Sequence, residues 1–112
     1  MGDKVASQVV EKEEEFQSWV IDLAHTRGWL VAHFRTARTK TGWRTAVSAD
    51  GQGFPDLICS RGTITIYAEV KRQKGRLTPE QKLWLELLAQ NPGNKCFVWR
   101  PSERKEIEEV LS

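Results

Sequence analysis

The sequence predicts an α/β fold, a mixed central sheet with helices on both faces. Three observations carry that prediction. Short β-prone runs at 29–34, 57–59, 63–70 and 95–100 are interleaved with stretches of helical period. The two middle runs flank Ser60-Arg61-Gly62, which makes them an antiparallel hairpin. From Thr63 to Arg100 the order is strand, helix, strand, and this favours parallel pairing through a right-handed crossover. At 112 residues the chain is expected to be one domain, residues 1–112, with a modest core that needs no staples.

Residues 1–6 carry no pattern and are expected to fray. Over residues 7–27, Phe16, Trp19, Val20, Leu23 and Ala24 recur at helical spacing and mark one face of an amphipathic helix. Early acids, Arg27 in the last turn and Gly28 as C-terminal cap agree with it. WLVAHF, Trp29 to Phe34, is short, apolar and β-prone, hence a strand. Residues 35–53 are polar, contain three glycines and gather Arg35, Arg38, Lys40 and Arg44 around Trp43. Bases interleaved with an aromatic suit phosphates and an unstacked base, so this stretch is expected to be a long substrate loop with no secondary structure of its own. A merely solvated loop is the alternative.

After the hairpin comes a second basic turn, Arg72-Gln73-Lys74-Gly75-Arg76. Thr78-Pro79-Glu80-Gln81 then starts a helix, with Thr78 as N-cap, Pro79 at the first helical position and Gln81 completing a capping box. Leu83, Trp84, Leu87 and Leu88 are expected to form its buried face, and it stops near Asn91-Pro92-Gly93. KCFVWR reads as the last strand. Pro101 and Ser102 introduce a short helix with Ile107, Val110 and Leu111 as its apolar face. The element order is therefore α-β-β-β-α-β-α, without internal repeats.

No apolar run approaches the roughly 20 residues of a membrane span, and no signal-peptide pattern opens the chain. A cytoplasmic setting, host cytoplasm for a viral chain, with no membrane partner is expected. Cys59 and Cys96 lack a metal-ligand spacing and are expected to be reduced core residues. His25 and His33 have no partner spacing that marks a ligand or a base.

The net charge of +2 says little, but its distribution says more. Ten Lys/Arg residues lie between His25 and Arg76, against three acids, Asp50, Asp56 and Glu69. Both ends are acidic. A basic middle suits a polyanion-binding face.

Two of those three acids sit on the hairpin. Pro55-Asp56 opens it, and Glu69-Val70-Lys71 closes it. Side chains alternate along a strand, so Glu69 and Lys71 share a face, and the fold-back returns them to Asp56. Two carboxylates and an ammonium at one end of a sheet are the outline of a metal-dependent phosphodiester-cleaving site. Mg²⁺ or Mn²⁺ takes hard oxygen ligands, which Asp56, Glu69 and the Val70 carbonyl offer. Lys71 beside them suits orienting a water and stabilising charge on the phosphate. A turn aspartate and a solvated ion pair would use the same residue types.

The sequence resembles the VRR-NUC domain family of the PD-(D/E)xK nuclease superfamily. The resemblance rests on GFPDLI (Gly53 to Ile58), YAEVK (Tyr67 to Lys71), LTPEQKLWL (Leu77 to Leu85), EEFQ (Glu14 to Gln17) and GWLVAHF (Gly28 to Phe34), and covers nearly the whole chain. It implies a restriction-endonuclease-like αβββαβ core with an extra C-terminal helix, in a stand-alone member of phage or bacterial type. It further implies that Asp56 and Glu69 ligate the metal, that Lys71 is the catalytic lysine, and that Gln81 belongs to the site. Gln81 as a plain capping residue stays open beside that role. The family's first-helix glutamate falls in the run Glu13-Glu14-Glu15. With the apolar stripe centred on Phe16, Val20 and Leu23, Glu15 at its edge is the choice, and Glu14 and Glu13 are alternates.

The function expected is a Mg²⁺/Mn²⁺-dependent DNA endonuclease without a small-molecule cofactor, nicking four-way (Holliday) junctions as a homodimer in DNA repair or recombination. Arg35, Arg38, Lys40, Trp43, Arg44, Arg72, Lys74 and Arg76 are the expected DNA contacts. A flap- or end-processing nuclease and a non-catalytic nucleic-acid-binding module are the alternatives.

Overall fold

In the computed structural model the patterned stretches become α1 (Glu13–Thr26), β1 (Leu30–His33), β2 (Ala37–Thr39), β3 (Gly42–Arg44), β4 (Leu57–Arg61), β5 (Ile64–Val70), α2 (Pro79–Leu88), β6 (Asn94–Trp99) and α3 (Arg104–Leu111), the last entered through a 3₁₀ turn at Pro101–Glu103. The structure describes the backbone of residues 12–34, 37–39, 42–44 and 47–112, and side chains for 12–34 and 47–112. The expected fraying of residues 1–6 and the roles of Arg35 and Lys40 lie outside the described residues.

Four strands form one mixed sheet in the order β1-β4-β5-β6. β1 pairs antiparallel with β4 and β4 with β5, whereas β5 and β6 run parallel, joined over the sheet by α2. Pairing of Arg61 with Ile64 leaves Gly62 and Thr63 as the turn, so β4 runs through Ser60 and Arg61, which sequence patterning assigned to the turn. Gly62 takes φ +61°, a backbone conformation that glycine adopts without strain in a two-residue hairpin.

One correction concerns the loop at 35–53. It holds a two-stranded sheet of its own, with Arg38 opposite Trp43 and Ala37 opposite Arg44. Each strand has only three residues, too short for alternation to show.

The two sheet faces are unequal. Leu57, Cys59, Ile66, Ala68, Val70 and Trp99 point to one side, where Phe16, Val20 and Ala24 of α1 and Ile107 and Leu111 of α3 close the core. The other face carries Phe34, Asp56, Ile58, Tyr67 and Glu69 and is covered by α2. Cys59 and Cys96 are both free and project from opposite faces of the sheet, which keeps them apart. Burial pushes the Cys59 thiol up to about 11, in keeping with an inert core residue.

The expected face of α2 is a second correction. Leu83 and Leu87 are 56% and 48% exposed, and no α2 residue is fully buried. The stripe towards the sheet is instead Gln81, Trp84, Leu85 and Leu88, at i, i+3, i+4 and i+7. A polar residue opens it, which is why counting apolar residues alone misplaces the phase.

Arg61 faces inward, although it belongs to the basic middle of the chain. Its guanidinium donates to the Arg27 carbonyl at 2.8 Å, to Leu111 at 3.3 Å and to Ser112 at 2.9 Å, and it lies 4.3 Å from the centre of the Trp29 ring. It ties the ends of α1 and α3 to the hairpin. Hydrogen bonds from a charged donor contribute about 1.5–3 kcal/mol. Arg61→Ala should therefore lower unfolding stability by about 2 kcal/mol in urea titration, with DNA affinity unchanged.

Candidate active site

The hairpin register builds the site. Leu57 pairs with Ala68, so Asp56, one residue earlier, stands beside Glu69 on the face opposite the core. The Val70 amide donates to the Asp56 Oδ2 at 3.2 Å and fixes that carboxylate. Pro55 is buried and holds the entry of the strand. Lys71 follows β5 directly, its amide donating to the Trp99 carbonyl at 2.9 Å and its side chain half-buried.

Glu69 is 1% exposed. Its Oε2 accepts from the Gln81 Nε2 at 3.0 Å, but no donor reaches its Oε1 among the described residues. An ionised carboxylate with a bare buried oxygen is costly. Burial accordingly pushes the Glu69 carboxyl up to about 9, helped by a hydrogen bond to the Asp56 carboxylate and by its charge, opposed by Lys71 and reinforced by Glu13. With its carboxyl raised this far, Glu69 holds its proton at neutral pH in the metal-free protein. The hard-oxygen pair suits a divalent cation, whose charge would take the place of that proton. Among the described residues no third Asp, Glu, His or Cys completes a ready metal cluster. The remaining ligands would be backbone carbonyl and water.

Gln81 does two things at once. Its Oε1 accepts from the Thr78 amide at 2.9 Å while its own amide donates to the Thr78 Oγ1 at 3.1 Å, a complete capping box. Its Nε2 is left over for Glu69. The primary amide has an acceptor for the helix and a donor for Glu69, so it closes the capping box and reaches that carboxyl at once.

The first-helix glutamates are placed differently from one another. Glu15 accepts the Lys12 amide at 3.3 Å through Oε1, a capping contact with its own helix. Glu13 is the one whose charge is felt at Glu69. The fully buried residues of α1 are Phe16, Val20 and Ala24. At 3.6 residues per turn Glu13 lies about 20° from the centre of that line, and Glu15 about 140° away. Centring the stripe on Leu23 rather than Ala24 shifts the phase, and only the packed structure distinguishes the two. Glu14, like Glu13 and Glu15, is exposed.

The basic residues divide. Arg72, Lys74 and Arg76 are exposed on a turn beside Lys71. Arg100 donates to the Gly75 carbonyl at 2.7 Å and the Ser102 amide to the Gln73 Oε1 at 3.0 Å, which holds that turn in place. Arg38 lies in β2, and Trp43 and Arg44 in β3; their side chains lie outside the described residues.

A family model, the VRR-NUC domain, matches residues 4–100. The chain belongs to the VRR-NUC family. None of the curated proteins matches it. As a VRR-NUC domain, in the PD-(D/E)xK superfamily, it is a nuclease with DNA as substrate, and its mixed sheet with three helices agrees with a restriction-endonuclease-like core. Among the described residues no helix is long and apolar enough to cross a membrane.

Sequence reasoning passed over one residue of this VRR-NUC site, Gly53. It takes φ +86°, and a Cβ built there would meet Glu80 Cβ at 2.6 Å and the Gln81 amide nitrogen at 2.8 Å. The chain entering Asp56 thus touches the first turn of α2, and Gly53 sets the spacing between Asp56 and Gln81. A glycine two residues ahead of Pro-Asp was the available signal. Gly53→Ala should cost about 2 kcal/mol of stability and weaken Mn²⁺ binding in calorimetry.

A pH dependence follows from Glu69. A carboxyl whose folded value, about 9, exceeds its ordinary 4.5 binds its proton more tightly in the folded state. Its contribution to stability is complete below about pH 4.5 and is lost as pH rises towards 9. Metal-free protein should unfold at progressively lower urea across that window, and Glu69→Gln should flatten the decline.

Proposed function

We propose that this nuclease is a metal-dependent, structure-selective endonuclease that nicks four-way DNA junctions. The observation that carries the chemistry is the buried Glu69–Asp56 pair with its undonated oxygen. Bound there, Mg²⁺ or Mn²⁺ would neutralise charge on the scissile phosphate and lower the pKa of a water ligand.

The protein's own groups do the rest. Asp56, fixed by the Val70 amide, and Glu69, fixed by Gln81, would hold the cation with carboxylate oxygens, and the Val70 carbonyl would be the adjacent backbone ligand. Lys71 carries its ammonium next to this pair, where it orients the attacking water and offsets negative charge developing on phosphate. Gln81 is a positioning residue, holding Oε2 of Glu69 so that Oε1 stays available. Of the first-turn glutamates, Glu13 has the position that supports the cation from outside, while Glu15 is occupied with Lys12.

DNA backbone contacts fall to Arg72, Lys74 and Arg76, and to the basic β2–β3 arm with Arg35, Arg38, Lys40, Trp43 and Arg44. Paired nicks across a two-fold junction suit a homodimer with two such sites. A flap-processing role uses the same chemistry and differs only in substrate.

The test is a nicking assay on four-way junction, 5′-flap and linear duplex of one sequence, with Mg²⁺, Mn²⁺ or EDTA. Asp56→Ala should abolish nicking, and Lys71→Ala should slow it by about 10²–10⁴-fold with junction affinity retained. Cleavage in EDTA, or undiminished rates in either variant, would overturn the mechanism; preferential cutting of the flap would move the substrate.

A further inference from the structure

Phe34 stands one residue beyond the end of β1, and its amide donates to the Asp56 carbonyl at 2.9 Å. His33 pairs with Leu57, so Phe34 is opposite Asp56 and on its face of the sheet. Across the sheet the row reads Phe34, Asp56, Glu69. The carboxylate pair is therefore flanked on the β1 side by a benzyl group that is 44% exposed.

That ring is braced. Phe54 meets it edge-on at 5.9 Å, and Phe54 itself meets Tyr67 at 6.1 Å and Trp84 at 5.0 Å, all near perpendicular. Phe54 follows Gly53, and the Trp84 Nε1 donates to the Asp50 carbonyl at 2.9 Å, so the cluster is fixed to the segment that leads into Asp56. Edge-to-face packing engages the rim of one ring and one face of the other, so Phe54 covers at most one face of the Phe34 ring. A rigid aromatic, half open to solvent and about 5 Å across the strand pair from the Asp56 carboxylate, meets the geometry of a base-stacking platform. A duplex base stays stacked on its neighbours; a base at a branch point or an unpaired end does not.

We infer that Phe34, braced by Phe54 and Tyr67, stacks on the nucleobase flanking the scissile phosphate and so selects DNA in which that base has left the duplex stack. The inference rests on Asp56 and Glu69 being the reacting centre. Phe34 acts on the substrate's base and not on the metal.

Affinity is measured by fluorescence anisotropy in EDTA, for a four-way junction, a 5′-flap and a linear duplex of one sequence. Phe34→Ala should weaken binding to the branched DNAs by about tenfold and leave linear duplex within about twofold. Phe34→Leu keeps the apolar bulk and removes the ring face, and should lose branched-DNA affinity equally; Phe34→Tyr should keep it. Mn²⁺ affinity of the variants, by calorimetry without DNA, should stay at the wild-type value. Equal loss on all three DNAs, or wild-type behaviour of Phe34→Leu, would overturn the platform. Asp56→Ala, run in parallel, separates the two readings: if it still nicks, the reacting centre is misassigned, whereas an inactive Asp56→Ala beside a Phe34→Leu that binds branched DNA like the wild type removes the platform alone.

Discussion

A buried carboxyl group is the constraint around which this domain is arranged. Glu69 sits near the end of β5, an inner strand of the sheet, buried against α2, where an isolated carboxylate would cost several kcal/mol. The fold instead surrounds it with Asp56, Gln81 and the nearby Lys71, and leaves one oxygen without a donor. That geometry is unfavourable for the empty, fully ionised site and favourable for a doubly charged cation. Stability is thereby exchanged for affinity in one place.

The supports of this site reach it from separate parts of the chain. The hairpin register sets Asp56 beside Glu69, the capping box sets Gln81, and Gly53 sets how closely their two segments approach. None of these needs a long-range salt bridge. Each is a local backbone rule, a turn, a cap or a positive φ, that happens to end at the same point. A site assembled from short rules keeps its geometry when loops elsewhere change.

How much of this was legible in the sequence depends on which period carried the information. The hairpin was legible because seven residues of β5 alternate and Pro55-Asp56 marks its entry. Thr78 and Gln81 were legible as a cap because the spacing is fixed by backbone geometry. The phase of two helices was not. In α2 the sheet-facing stripe begins with Gln81 and is too mixed to show, while Leu83 and Leu87 face solvent. In α1 the stripe turns by about 30° when it is centred on Ala24 instead of Leu23, and the buried line Phe16, Val20, Ala24 leaves Glu13 about 20° from its centre and Glu15 about 140°. The short β2–β3 pair carries too few residues for any period.

Charge illustrates the same limit from another side. Arg61 and Arg72 both belong to the basic middle of the chain, yet one clamps the ends of two helices and the other stands exposed beside Lys71. The difference lies in strand position. Arg61 ends β4 opposite Ile64, at the far end of the sheet from Asp56, next to the carbonyls where α1 and α3 finish. Helix C-termini concentrate unsatisfied carbonyls and partial negative charge, which a guanidinium satisfies with several donors. Arg72 follows β5 at the end where Asp56 and Glu69 lie. A polyanion drawn to the basic turn would thus meet the end of the sheet that carries Asp56 and Glu69, whereas the guanidinium at the other end is occupied by the fold's own carbonyls. The end of the sheet at which a basic residue lies, more than the count of such residues, decides whether it stands exposed.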